Sequence, residues 1–172
     1  MAEGRGAALK HLLQRAFAAD GQLAGSIPGF RLRAQQVEMA QAIGAAIEST
    51  AVLVAEAGTG TGKTFAYLVP ALLGGGKVIV STGTKTLQDQ LFDRDLPAVR
   101  SALASGASAA VLKGRANYVC LYRLRRSANE ARLASRDEAP QLRRIVRFAG
   151  ATTSGDRADL VRHLRVVDLL AQ

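Results

Sequence analysis

The chain has 172 residues, 48% hydrophobic and 22% charged, which is enough for a domain with a buried core and unlike a disordered or fibrous composition. A single cysteine, Cys120, excludes an internal disulfide framework, and by default such a residue is a small buried hydrophobe. The net charge of +9 is unevenly placed: from Lys113 to Gln172 there are 13 Lys and Arg against 6 Asp and Glu, and the residues before Lys113 hold 10 against 8.

The first element is a helix over residues 6–19, with Leu9, Leu12, Leu13, Ala16 and Phe17 at helical spacing. The first twenty residues open with Glu3 and carry Lys10, His11 and Arg15 among the apolar ones, so they are not a signal peptide. No apolar run in the chain is long enough to cross a bilayer, and the expectation is a cytoplasmic protein without membrane contact. A loop over 21–29 with Pro28 follows. A second helix is expected over 34–48, its apolar positions being Val37, Met39, Ala40, Ile43 and Ile47. Residues 51–55 form a short continuous apolar run ended by glycines, the pattern of a buried parallel strand.

The next segment carries the chemistry. Ala57-Gly58-Thr59-Gly60-Thr61-Gly62-Lys63-Thr64 stands between that strand and a helix over 63–73, which Gly74-Gly75-Gly76 stops. Glycines let a loop curl with its N–H groups inward, and the helix N-terminus adds partial positive charge, so the loop is an anion site. Lys63 can reach the outer phosphates of a nucleoside triphosphate and the Thr64 hydroxyl can hold Mg²⁺. Ala57 stands where the strict pattern has glycine, so the match is to the looser form of the P-loop.

Residues 77–81 are expected to form a second strand, 85–91 a helix, and 109–112 a third strand weakened by its alanines. This β-α-β-α-β order implies a parallel sheet with helices on both faces. After Gly114 the alternation stops, and helices are expected over 118–133, 139–148 and 156–170. The basic excess lies here and is carried by Arg, whose planar fork suits phosphate oxygens. A nucleic-acid face and a solvated helical surface both fit that pattern.

Four blocks then act together: Phe30 to Ala40, the P-loop, Val80 to Leu91, and Leu112 to Cys120. In this order they resemble the N-terminal part of superfamily 2 DNA helicases, most closely the DinG/YoaA branch of the XPD/Rad3-like iron–sulfur helicases, over residues 28–165. The resemblance implies an incomplete RecA-like motor domain over 33–113, preceded by an N-terminal helix and loop over 1–32. It also implies the start of an iron–sulfur domain, helical and Arg-rich, over 114–172. It implies adenine contact by Arg33 and Gln36, since an amide can bond both a donor and an acceptor of the base; alone, Gln36 reads as a polar residue on an amphipathic helix.

Thr82, Gly83, Thr84, Lys85 and Gln88, with Arg115 and Asn117, are implied to touch the sugar-phosphate backbone of single-stranded or forked DNA without sequence preference. An ordinary helix cap is the other reading of Thr82 and Thr84. Cys120 is implied to be the first of four ligands of a [4Fe–4S] cluster. The other three are absent from this chain, so the cluster is expected only in a longer parent.

Asp137-Glu138-Ala139-Pro140 imitates the DEAH box that holds Mg²⁺ and positions water. The residues before it are helical and basic instead of a buried strand, so it is read as the start of a helix. Lacking that box and the later motifs, the chain is expected to bind ATP–Mg²⁺ and neither hydrolyse ATP efficiently nor unwind DNA; the parent is expected to be a 5′–3′ helicase in DNA repair. Two alternatives stand beside this reading. One is a P-loop kinase or other NTPase with an Arg-rich lid, and the other is a non-enzymatic nucleic-acid-binding protein.

Overall fold

A computed structural model describes residues 3–130 and 138–160. The chain divides into two compact units, residues 1–111 and 112–172.

The first unit is built from helices: α1 (Glu3–Phe17), α2 (Gln22–Ser26), α3 (Ala34–Ser49), α4 (Lys63–Gly74), α5 (Lys85–Gln90), a π-helical turn (Leu91–Asp95) and α6 (Leu96–Ala102). On α1, Leu9, Leu13, Ala16 and Phe17 are buried on one stripe, while Leu12 falls off it and is partly exposed. The stripe packs on α3 at Gly44, where a Cβ would meet the Leu13 side chain at 2.7 Å, so a larger residue there would have to push the buried leucine aside. α4 packs against both α1 and α3, contributing Ala66, Leu68 and Val69, and α6 closes the core with Val99 and Ala102. The helix expected over 85–91 runs on through the π-helical turn into α6, and the loop expected over 21–29 contains α2.

The parallel sheet expected from the sequence does not form among the described residues. Residues 51–58 and 77–82 run without assigned strand structure, and none of the stretch from Val52 to Ala57 makes a backbone–backbone hydrogen bond. Val52, Val54 and Ile79 are more than 90% exposed. The physical reason is that a strand exists only by pairing, and these segments have no strand beside them to share their N–H and C=O groups. Their apolar side chains fit a sheet interior and here lie open to solvent.

The second unit contains a 3-10 turn (Arg115–Asn117), α7 (Leu121–Glu130) and α8 (Glu138–Ala151). α8 starts at the acidic stretch with Pro140 in its first turn, so the imitation of a DEAH box is a helix start; Asp137 itself lies outside the described residues. Helical backbone resumes at 157–160, and the rest of the helix expected over 156–170 lies outside the described residues, as do 131–133 of the one expected over 118–133. α7 packs on α8, where Phe148 is buried. The segment 113–119 is clasped to 155–157: Val119 N–H donates to the Gly155 carbonyl (2.9 Å), Arg157 to the Ala116 carbonyl (3.1 Å), and Lys113 Nζ lies 2.7 Å from Asp156 Oδ2.

Both side chains of that ion pair are almost buried, at 10% and 13% exposure. Removing one partner takes this contact from the other charge in a nearly dry setting, which destabilises the unit. Asp156 Oδ1 also accepts from the Ala158 N–H (2.9 Å), capping the next helical turn. Asp156→Ala is therefore expected to lower the stability of the second unit by more than Asp156→Asn, which keeps the cap. Denaturant unfolding of the two variants checks the order.

Candidate nucleotide site

The P-loop joins the unpaired segment 51–56 to α4. Gly60 (φ +77°) and Gly62 (φ +81°) adopt the left-handed conformation that lets the chain curl, and Gly62 is the N-cap of α4. Thr61 Oγ1 donates back to the Gly58 carbonyl (3.0 Å), closing the curl. Lys63 turns into the loop, with Nζ donating to the carbonyls of Ala57 (2.7 Å) and Gly58 (2.7 Å). Thr64 stands in the first turn of α4 and lines the same pocket.

Gln36 reaches this loop from α3. It is 2% exposed and its Nε2 donates to the Gly62 carbonyl (2.9 Å). Turning the amide over would set two acceptors against each other, so the bond fixes its orientation. Oε1 is then a buried acceptor without a hydrogen-bond partner among the described residues, a position that a ligand's N–H would satisfy. Arg33, the N-cap of α3, lines the pocket beside Gln36. Phe30 and Phe65 stack with ring centroids 6.3 Å apart, supporting the wall between the two stretches. The pocket holds about 510 Å³, the size of a small-ligand cleft.

Of the residues expected to touch nucleotide, Arg33, Gln36 and Gly60 to Thr64 line one pocket, and Ala57 and Gly58 form the back of the loop through their carbonyls. Gln90, Arg94 and Asp95 line it too. The sequence reading missed these three, which reach the pocket by way of one wide helical turn. Thr64 is the lining residue whose hydroxyl could share a magnesium ion with bound phosphates. The one acid lining the pocket, Asp95, is engaged by Gln90 and Arg94.

Thr82, Gly83, Thr84, Lys85 and Gln88 lie at the start of α5 and do not line this pocket. Thr84 caps α5, its Oγ1 accepting from the Leu87 N–H (3.2 Å), and Thr82 Oγ1 donates to the Thr84 carbonyl (3.2 Å). The capping reading is thus realised by Thr84, while Lys85 is exposed. Arg115 and Asn117 belong to the second unit; Asn117 Nδ2 donates to the Gly114 carbonyl (2.9 Å) and Arg115 is exposed. Cys120 is exposed, not buried as the default for a lone cysteine, and its carbonyl accepts from Leu124 N–H at the start of α7. No group of three or more His, Cys, Asp and Glu among the described residues could hold a metal. With one cysteine, this chain cannot hold a four-iron cluster by itself.

The geometry agrees with the comparisons. The family model of the DEAD/DEAH box helicases matches residues 36–118, from the Gln36 that grips the P-loop to Tyr118. This segment belongs to the DEAD/DEAH box helicase family. The chain is 50% identical over 145 residues to the ATP-dependent DNA helicase YoaA of Haemophilus influenzae, covering 84% of this chain and 23% of that protein. To the YoaA of Escherichia coli it is 60% identical over 112 residues, covering 65% of this chain and 18% of that one. To the ATP-dependent helicase DinG of Mycobacterium tuberculosis (strain H37Rv) it is 41% identical over 158 residues, with 78% and 23% covered. The chain therefore spans less than a quarter of the length of these relatives. No solved structure matches it. Among the described residues no helix is long and apolar enough to cross a membrane.

Proposed function

We propose that this chain is the ATP-binding portion of a DNA helicase of the YoaA/DinG type, acting in DNA repair in the cytoplasm. The observation that carries it is the bond from Gln36 to Gly62, which joins a base-reading amide to a phosphate loop in one pocket. In this reading Lys63 takes the outer phosphates, Thr64 holds Mg²⁺, the backbone of 57–62 cradles the phosphates, and Arg33 with Gln36 reads adenine. Residues 33–113 would be the motor part. Its unpaired segments 51–55, 77–81 and 109–112 would be strands of a parallel P-loop sheet, completed only when further strands lie beside them.

Thr82, Gly83, Thr84, Lys85 and Gln88, with Arg115 and Asn117 of residues 114–172, would touch the backbone of single-stranded or forked DNA. Cys120 would be one ligand of a [4Fe–4S] cluster whose other three cysteines this chain does not contain. Without a metal-holding acid beside the P-loop, steady ATP turnover by this chain is not expected.

The test is titration of ATP–Mg²⁺ and, separately, of a single-stranded oligonucleotide into the purified chain. Micromolar to millimolar ATP binding supports the reading, and its absence defeats it. The DNA arm has its own prediction. On α8, Arg143 and Arg144 are exposed beside half-buried Leu142 and Ile145, so their charges face solvent. Each phosphate contact contributes a slope of about 0.7 in the logarithm of affinity against salt for single strands. Replacing both by alanine is expected to reduce the slope by about 1.4 if both contact phosphates. An unchanged slope would remove α8 from the DNA face.

A further inference from the structure

We propose that Arg94, positioned by Asp95 on the π-helical turn, is a further nucleotide-contacting residue, and that it takes the ribose and base end of a nucleoside triphosphate. The inference rests on the nucleotide-binding reading above.

A π-helical turn is rare and needs a reason. Its wider closure lets residues four and five apart share one face, so Gln90, Arg94 and Asp95 all reach the nucleotide pocket. Asp95 is buried, and both carboxylate oxygens are engaged: Oδ1 accepts from Arg94 Nε (2.9 Å) and Oδ2 from Gln90 Nε2 (3.2 Å). A buried carboxylate held on both sides makes a rigid anchor. The Arg94 side chain, by contrast, is 69% exposed. Its Nε is committed, and its two terminal nitrogens have no other protein partner among the described residues. The result is a guanidinium plane fixed at one edge, with its donor fork open at the rim of a pocket.

The placement of this wall assigns its ligand. The phosphate end already has a cation, Lys63, and the N–H groups of the P-loop. The π-helical turn packs on α4 and continues into α6, which packs against α2, and the Ile27 to Phe30 stretch that follows α2 lines the same pocket. Arg94 lines this pocket together with Phe30, Arg33 and Gln36, the residues read above as the nucleoside side. A guanidinium there can donate to ribose hydroxyls or stack on the base, which lysine's compact ammonium does poorly.

The experiment titrates ATP–Mg²⁺ and magnesium tripolyphosphate into wild type, Arg94→Ala, Arg94→Lys and Asp95→Asn by calorimetry. Arg94→Ala is expected to weaken ATP about tenfold and leave tripolyphosphate unchanged. Arg94→Lys is expected to fail to restore ATP affinity. Asp95→Asn, a positioning change, is expected to lower the preference for ATP over tripolyphosphate, a shift that mere loosening of the fold would not make selective. Unchanged ATP affinity in Arg94→Ala, or equal loss of both ligands, overturns the assignment while leaving the nucleotide-binding reading intact. A wild type that binds neither ligand overturns both.

Discussion

Lys63→Ala is expected to lower ATP affinity by roughly 10- to 100-fold, the worth of one or two charge-assisted hydrogen bonds. The ammonium lies 2.7 Å from the carbonyls of Ala57 and of Gly58, so it already occupies the concave side of the loop. Phosphate oxygens are stronger acceptors than these neutral carbonyls, and a bound triphosphate draws Nζ away from them with little rearrangement. Alanine removes the charge and leaves two loop carbonyls to solvent, which can hydrate them because the loop is exposed. Folding should therefore change little, and thermal unfolding of wild type and variant without nucleotide is expected to coincide within a few degrees. With the same ATP concentration the wild type should rise further in unfolding temperature than the variant. Equal nucleotide-induced shifts would remove Lys63 from the site.

The longer helices of this chain were legible because their signal is local. The 3.6-residue spacing of Leu9, Leu13, Ala16 and Phe17, and the glycines that end α4, need no distant partner. The extended segments were legible as apolar runs, but their pairing was not, since pairing depends on strands elsewhere in sequence. Val52, Val54 and Ile79 show the consequence, a strand composition without a sheet among the described residues.

The site divides in the same way. The P-loop is written contiguously, and Gln36 was reached through the resemblance of its block. Arg94 and Asp95 were invisible because their arrival at the pocket depends on one wide helical turn that shifts the register by a residue. Thr84 was ambiguous for a different reason. A hydroxyl at a helix start serves equally as a cap and as a phosphate contact, and the structure shows the cap.

Gly62→Ala is expected to damage nucleotide binding far more than Gly60→Ala, although both glycines have nearly the same backbone angle, +81° against +77°. Each alanine carries the left-handed strain, about 1–2 kcal/mol. At Gly60 nothing lies within 4 Å of where the Cβ would stand, so strain is the whole effect. At Gly62 the Cβ would collide with the Gln36 amide, nitrogen and carbon both. Gln36 is buried, so it must leave its pocket or push the loop, and either movement breaks its bond to the Gly62 carbonyl. That adds about 1–2 kcal/mol for a buried polar group left unpaired.

The two variants should thus differ by about 1–2 kcal/mol in unfolding free energy, and ATP affinity should fall about tenfold further in Gly62→Ala. The collision also predicts a rescue. Gln36→Ala removes the obstacle, so the double variant should be less destabilised than the sum of the two single ones, and the double-mutant cycle should show positive coupling. Strict additivity would mean that Gln36 and Gly62 do not touch in solution, and the base-reading amide would no longer be tied to the phosphate loop.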